Sequence, residues 1–529
     1  MGQIGDRTIH KISGSWRFLA HKVMSSERAA ALPTLLTPVF LGCIFVMFMG
    51  LIQFSTPDLP DNDGYYHIKL AYLMRSEGLK PDFPWLPLTI LNRREFYDHH
   101  FLFHVLLIPF TYGDLRLGAK WAAVIFSSLA FLCIWRLLDR QRVPSASLWA
   151  LGLLAVSEAF IYRMSITRAQ SLSLALLALA VSWLLAGKHA RLAILGFVFV
   201  WFYNAFPLLV VVAGIYVVSV WLAERRLDFR PLLYSAAGIV AGLVINPYFP
   251  YNLIFAFQHI LPKLLEPTGV SVGSEWFPYS TGQLLSNSPL ALLVFASGAL
   301  ALGLSGRRMD TRTATGFLLA CLFGMMLFQS RRFIEYFPAF ALIFAAFAWA
   351  PLLAQAKARF PRKASGDQQA FSDRLMPGLP ALVMIVPLLA GIWLTFPAAQ
   401  NSLQSSKPYR LYADASAWLE TNTPAGARVF QTDWDDFPRL FFYNTHNTYL
   451  VGLDPTYMQL YDAGLYAAWV DITRGKVNYP SRAIVEDFGA RYVLTDLQHV
   501  EFLSRAEQDT QLVEIYRDAD AVVFEVLGP

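Results

Sequence analysis

Charged residues are scarce. Asp, Glu, Lys and Arg make up 15% of the 529 residues, against roughly a quarter in soluble globular chains, which argues against an ordinary cytoplasmic enzyme. Cysteine is nearly absent. Cys43, Cys133 and Cys321 all sit in apolar runs, offering neither a disulfide framework nor metal-ligand spacing. Neither sign of charge dominates: 43 Lys and Arg stand against 38 Asp and Glu, and a net +5 is too little to point to a nucleic-acid partner. Internal repeats are lacking as well. Glycine (32) and proline (30) are present at a normal share, which together with 55% hydrophobic residues excludes a disordered or collagen-like chain. What remains is a polytopic membrane protein with room for a soluble appendage.

A membrane-spanning helix needs about 20 mostly apolar residues. Such runs recur from Pro33 to Phe54, Leu115 to Leu138, Ser145 to Tyr162, Ser171 to Gly187, Leu192 to Tyr203, Phe206 to Ala223, Pro231 to Pro247, Ser286 to Leu304, Thr313 to Gln329, Phe333 to Leu353 and Gly378 to Pro397, about eleven spans. The first follows a basic stretch containing Arg7, Lys11, Arg17, Lys22 and Arg28 and lacks a small-residue cleavage site, so it reads as an anchor with a cytoplasmic amino terminus. Five later basic clusters fall on that same side: Arg136 to Arg142, Lys188 and Arg191, Arg225 to Arg230, Arg307 to Arg312, and Lys357 to Lys363. This holds only if Leu192 to Ala223 is a tight hairpin broken near Asn204 and Pro207.

The other side then receives two long loops, 55–113 and 248–285, a short loop around Arg163 to Gln170, and everything after Pro397. Within the first loop Phe101 to Phe110 is apolar but too short to span, and reads as an interfacial helix. Beyond Pro397, polar helical stretches alternate with β-branched runs at Arg428 to Gln431, Arg491 to Thr495 and Ala521 to Val526, which predicts a small α/β domain. The expected division is a cytoplasmic amino terminus over 1–32, a membrane domain over 33–397 and an extracytoplasmic domain over 398–529.

The chemistry-bearing residues collect on the non-cytoplasmic side. Asp61-Asn62-Asp63-Gly64-Tyr65 offers two carboxylates beside a glycine, suited to a hard divalent cation; the alternative is that Asp63 caps a helix running to Gly78. Tyr97-Asp98-His99-His100 follows, with His104 one turn beyond His100 on the same helix face. The second loop holds Ser271-Val272-Gly273-Ser274-Glu275, in which a lone glutamate is ordinarily just solvated. Arg331 and Arg332 violate the positive-inside rule, and with Arg163 and Arg168 they suggest an anionic partner such as a lipid phosphate; contact with phospholipid headgroups is the alternative. Asp433-Trp434-Asp435-Asp436-Phe437 follows a strand, where acids and an aromatic can meet a ligand.

In this order the motifs resemble those of GT-C glycosyltransferases, and within that group most of all the catalytic subunit of oligosaccharyltransferase. Asn62-Asp63-Gly64-Tyr65 is similar to the family's first acidic motif, Ser271 to Glu275 to its S-V-S-E or T-I-x-E motif, Arg332-Phe333 to its M-R-F or V-R-F motif, and Asp433 to Phe437 partially to its W-W-D-Y-G motif. Two departures stand out. Where the family has a second acid pair, this chain has Thr167-Arg168-Ala169-Gln170, and the last motif lacks its first tryptophan, tyrosine and glycine.

The resemblance implies a polytopic α-helical membrane protein of about 11 to 13 spans with a small extracytoplasmic α/β domain, and the lack of cysteine in that domain points to a bacterial inner membrane. It implies transfer of a sugar or glycan from a polyprenyl-(di)phosphate donor to a protein acceptor, or to a glycolipid or polysaccharide. A transport or non-catalytic role for lipid-linked sugars is the alternative from another class. Asp63 and Glu275 would be the catalytic carboxylates, Arg332, Arg331 and Arg168 the phosphate ligands, and Trp434 and Asp435 the acceptor contacts. A Mg or Mn ion would be held by Asp63, Glu275, His99 and, in place of the missing acid pair, Asp98.

Overall fold

The computed structural model describes residues 36–260, 273–359 and 379–527. The basic amino-terminal stretch, Ser271 and Val272 of the second-loop motif, and the side chains of the Lys357 to Lys363 cluster lie outside these residues.

All eleven apolar runs are helical. Six of these helices are long and apolar enough to cross a membrane by themselves: Leu36–Gln53, Leu115–Arg140, Pro207–Glu224, Thr311–Gln329, Phe337–Ala356 and Val383–Gln404. Two further runs bend sharply. Ala146–Leu154 meets Glu158–Met164 at 86°, and Thr281–Asn287 meets Pro289–Ser305 at 82°, so that counting each pair as one span gives eight. The first bend falls at Ser157, whose hydroxyl caps the second segment by accepting from Phe160 N at 3.1 Å. The second falls at Ser288, just before a proline that starts a helix readily but cannot continue one.

Gln170–Leu185, Arg191–Phe202 and Arg230–Val244 have 16, 12 and 15 residues, rising only about 18 to 24 Å against an apolar layer of about 30 Å. Eleven full spans are therefore more than length and composition support. The break predicted near Asn204 is present, because the helix ends at Phe202, Tyr203 is extended and a new helix opens on Pro207. Small residues let Arg191–Phe202 lie close along Arg230–Val244: a Cβ added at Gly238 would come 2.0 Å from the Ala193 carbonyl oxygen.

The basic loops meet at one end of the helices. Arg312 donates to the Gln141 carbonyl at 2.9 Å, Thr311 donates to Glu224 at 2.7 Å, and His189 lies 3.8 Å from Asp228. The carboxyl-terminal part forms a five-stranded sheet from β1 (Arg428–Gln431), β2 (Thr448–Tyr449), β3 (Tyr492–Asp496), β4 (Leu512–Arg517) and β5 (Ala521–Val526), ordered β2-β1-β3-β5-β4. Strands β2, β1 and β3 are parallel, while β5 runs antiparallel to both β3 and β4.

One face of this sheet shares a core with the first long loop. Tyr66, Phe83 and Trp85 from the loop pack with Phe437, Phe441 and Tyr449 from the α/β part, and Trp85 also donates its indole N–H to the Thr445 carbonyl at 2.8 Å. This shared core sets Trp434 and Asp435 beside the Asp61–Asp63 turn.

Candidate active site

A cavity of about 570 Å³ lies where the first long loop, the short loop after Met164, the second long loop, the Arg331–Glu335 turn and the α/β part converge. Its polar wall includes Asp61, Asp63, Arg168, Glu275, Arg332, Trp434 and Asp435, and its apolar wall includes Pro207, Leu208, Met326 and Phe333.

Local structure explains the aim of each side chain. Helix Asp63–Glu77 begins at Asp63, with Asn62 as its N-cap making no side-chain capping bond, so the Asp63 carboxylate is free to turn to Arg168. Thr167 donates to the Ala119 carbonyl at 2.8 Å and so ties the Arg168 loop to the Leu115–Arg140 helix. Gly273, with φ of 85°, occupies the left-handed region that favours glycine, and the short 3₁₀ turn Ser274–Trp276 then presents Glu275. Ser330 donates to the Glu275 carbonyl at 2.9 Å and holds that turn against the Arg331–Glu335 turn.

The charges form one continuous network. Arg168 pairs through Nε with Asp61, through Nη2 with Asp63 at 2.8 Å and through Nη1 with Glu275 at 3.0 Å. Arg163 bridges Glu275 at 2.7 Å and the fully buried Glu335, to which its Nε donates at 2.9 Å. Arg332 donates to the Tyr203 hydroxyl at 2.6 Å and lies over the Trp276 ring. Burial pushes Asp63 up to about 7 against the pull of Arg168, with Asp61, Glu275 and Asp435 adding to the rise. Glu275 goes the other way: burial alone would raise it, but the guanidinia of Arg163, Arg168 and Arg332 hold it well below the usual carboxylate range. Two acids in one cavity thus have opposite characters.

Trp434 and Asp435 both line the cavity. Asp435 accepts from the Asn62 side-chain amide Nδ2 at 2.6 Å, while Arg439, fully buried, donates through Nε to Asn62 Oδ1 at 2.7 Å and lies over the Tyr65 ring. Burial and the charge of Asp433 push Asp435 up to about 6.

Three expectations need correction. Asp98 does not reach the cavity. It is 2% exposed and is engaged by His104 Nδ1 at 2.7 Å and by the His100 backbone N–H at 2.9 Å. His104 Nε2 lies in turn 2.7 Å from His67 Nδ1, so Asp98 anchors a buried histidine pair that joins helix Asp63–Glu77 to helix Phe101–Leu107. His99 lines the cavity but stacks on Phe255, and burial lowers it to about 4. Arg331 turns away to lie over Tyr279 and donate to the Pro278 carbonyl, lining a second cavity of about 440 Å³ that shares Asp61, Glu275 and Arg332 with the first. The expected set of Asp63, Asp98, Glu275 and His99 therefore does not converge. Among the described residues, no group of three or more His, Cys, Asp or Glu side chains is arranged to hold a metal ion.

No family model matches the sequence, and no curated protein does. Solved structures do. The oligosaccharyltransferase AglB from Archaeoglobus fulgidus, in complex with an inhibitory peptide and a dolichol-phosphate, superposes with a TM-score of 0.63 at 13% identity, covering 89% of this chain and 71% of that one. The same enzyme in complex with Zn and sulfate gives 0.60 at 12% identity, with 89% and 70% covered. ArnT from Cupriavidus metallidurans, bound to undecaprenyl phosphate, gives 0.55 at 15% identity over 92% of this chain and 97% of that one. Mycobacterial arabinofuranosyltransferase AftD gives 0.55 at 14% identity over 93% of this chain and 41% or less of its own length. All are membrane glycosyltransferases of the GT-C superfamily. This chain has the GT-C fold.

Within this GT-C fold, Tyr203, Asp454 and Tyr457 line the cavity, Glu335 and Arg439 support it through Arg163 and Asn62, and the motifs singled out none of the five. Glu335 left the plainest trace: an acid opening an apolar run, three residues after Arg332, has to find a cation once it is 0% exposed. Tyr203 and Arg439 left none, because each acquires its partner only through the tertiary fold.

Proposed function

We propose that this integral membrane protein is a glycosyltransferase that takes a sugar from a polyprenyl-phosphate or polyprenyl-diphosphate donor at the outer face of the membrane. The observation that carries this proposal is one cavity lined both by Asp63, with its raised pKa, Arg168 and Arg332 and by the apolar Leu208, Met326 and Phe333. Dolichol-phosphate in the archaeal structure and undecaprenyl phosphate in ArnT each join an anion to an apolar chain, and Arg332 beside an apolar wall suits that pairing.

In the reaction, the acceptor nucleophile attacks the anomeric carbon and the bond from that carbon to the lipid phosphate breaks, the phosphate leaving with the electron pair. Asp63 takes the proton from the acceptor. Arg332 stabilises the charge that grows on the leaving phosphate, with Tyr203 fixing its guanidinium through the 2.6 Å hydrogen bond. Glu275, held ionised by three arginines, positions Arg168 and Arg163. No step passes through a metal ion, because Arg168 already occupies the carboxylates that would hold one.

A glycan-bearing acceptor, a glycolipid or polysaccharide, is the second reading. Trp434 is the observation that favours it, since an indole face in a polar cavity suits the apolar face of a sugar ring. The outer-face assignment follows from the basic loops gathering at the end of the Leu115–Arg140 helix away from the cavity.

The test is transfer of labelled sugar from a polyprenyl-phosphate sugar by the full chain in liposomes, followed by mass spectrometry of lipid, glycan and protein products. Wild type should turn over, and Asp63→Ala and Glu275→Ala should not. Arg332→Ala should raise the apparent Kd for the donor about ten- to a hundredfold, as expected for loss of a charged hydrogen bond. Full activity in both acid variants sinks the proposal, and donor binding without turnover assigns a binding or transport role instead.

A further inference from the structure

Arg168 stands where three carboxylates point at one another. Asp61 and Asp63 reach it from the turn that opens helix Asp63–Glu77, and Glu275 reaches it from the second long loop, more than two hundred residues later in the chain. The Arg168 side chain is 12% exposed, so this is no surface pair. A hard divalent cation at the same point would draw on these same carboxylates, with water filling the remaining positions. The guanidinium meets that demand differently: it is planar, permanently charged and offers five N–H donors in a fixed fork. Three of its nitrogens lie within ion-pair distance of the three acids, and Nη1 also donates a hydrogen bond to Glu275 at 3.0 Å. A second cation at these oxygens would have to displace Arg168 or stand against its charge at short range.

The surrounding charges fit this arrangement. Glu275, the acid most exposed to the pull of a cation, is shared between Arg168 and Arg163, and Arg163 is shared in turn with the buried Glu335. Asp61, Asp63 and Glu275 thus meet a cation that the chain itself supplies, and Glu335 is matched by Arg163.

We propose that Arg168 is a built-in substitute for a divalent cation at the reaction centre: its guanidinium, fixed to the chain, organises Asp61, Asp63 and Glu275 through ion pairs, so the site works without metal. This rests on the glycosyltransferase reading above, but its test does not need turnover. The full chain, purified in detergent and stripped with a chelator, is titrated with Mn2+ and followed by the loss of the free-ion electron paramagnetic resonance signal.

Wild type should bind no Mn2+ that Glu275→Gln or Asp63→Asn can remove. Arg168→Ala leaves three carboxylates around one gap and should gain one Mn2+ site, lost again in the Arg168→Ala/Glu275→Gln double variant. Arg168→Lys, which keeps the charge but not the fork, should stay metal-free and serves should the alanine variant fail to fold. A wild-type chain that holds one Mn2+ per molecule, released by Asp63→Asn with Arg168 intact, overturns the proposal, as does a folded Arg168→Ala that gains none. In the transfer assay, activity that survives chelation supports it and activity restored only by added Mn2+ overturns it while leaving the transferase reading standing. A chain with no transfer and no Mn2+ site does the reverse.

Discussion

Asp63 and Glu275 are both carboxyl groups on one arginine, yet their surroundings push them apart. Burial raises Asp63 to about 7, whereas three guanidinia hold Glu275 well below the ordinary range. Only Asp63 can gain and lose a proton near neutrality, which separates a base from an anchor. Transfer should therefore rise with pH through about 7 as Asp63 ionises, and Asp63→Asn should lower the rate about 10²- to 10⁴-fold and abolish this limb. Stability runs the opposite way. Folded Asp63 keeps its proton where the unfolded side chain, near 3.8, has lost it, so its contribution is present below that value and is lost as pH rises through about 7. Asp63→Asn should thus raise the thermal midpoint of the purified chain more at pH 8 than at pH 5. An equal change at both values, with an unchanged rate profile, would remove Asp63 from the role of base. Residue identity was legible at this scale and partnership was not. Arg163 and Arg168 read as free cations awaiting an anion because the acids that pair with them lie 100 or more residues away in sequence. Asp98 read as a ligand because its commitment to His104 depends on the direction of a helix that spacing alone does not reveal.

At the scale of elements, what was written in strong local chemistry could be read. The runs at Arg428 to Gln431 and Ala521 to Val526 are strands as expected from their β-branched residues, and Pro207 marks the break after Tyr203. The two-residue strand Thr448–Tyr449 exists only because Arg428–Gln431 lies beside it, and no pattern of two residues can announce that. The bends at Ser157 and Ser288 were hidden inside runs apolar enough to pass as straight spans. The element that matters most for the site is the first loop, which has a core only in company with the α/β part. Phe441, 0% exposed, meets the rings of Trp85 at 4.9 Å and of Phe83 and Tyr66 at 5.8 Å. Phe441→Ala should cost about 3 to 5 kcal/mol and loosen the hold on Asn62 and Asp435. Limited proteolysis should then cut the first loop faster while the helical part stays intact, and equal cutting rates in the two proteins would show that the loop is held by other contacts.

Over the whole molecule, the few charges divide by height. The Leu115–Arg140 helix has 26 residues, about 39 Å at the usual rise. Near its first end Ala119 receives Thr167 beside the cavity, while at its far end Gln141 meets Arg312. With basic loops at one end and a carboxylate–arginine cavity at the other, the positive-inside rule predicts that the cavity faces outward. Cysteine labelling tests this directly, because the three native cysteines can be replaced by serine without touching an ion pair or a disulfide. Leu227→Cys probes the basic end at a position 57% exposed and uncharged, so the charges that orient the protein remain. Arg482→Cys probes the α/β part, where the side chain is 81% exposed and far in sequence from any span. In sealed right-side-out vesicles a membrane-impermeant maleimide should label Arg482→Cys at once and Leu227→Cys only after permeabilisation, and in inverted vesicles the order should reverse. Labelling of both positions from one side would place cavity and basic loops together. A donor made from a nucleotide-activated sugar could then be met on the cytoplasmic face, and the lipid-linked donor would lose its main reason for being required.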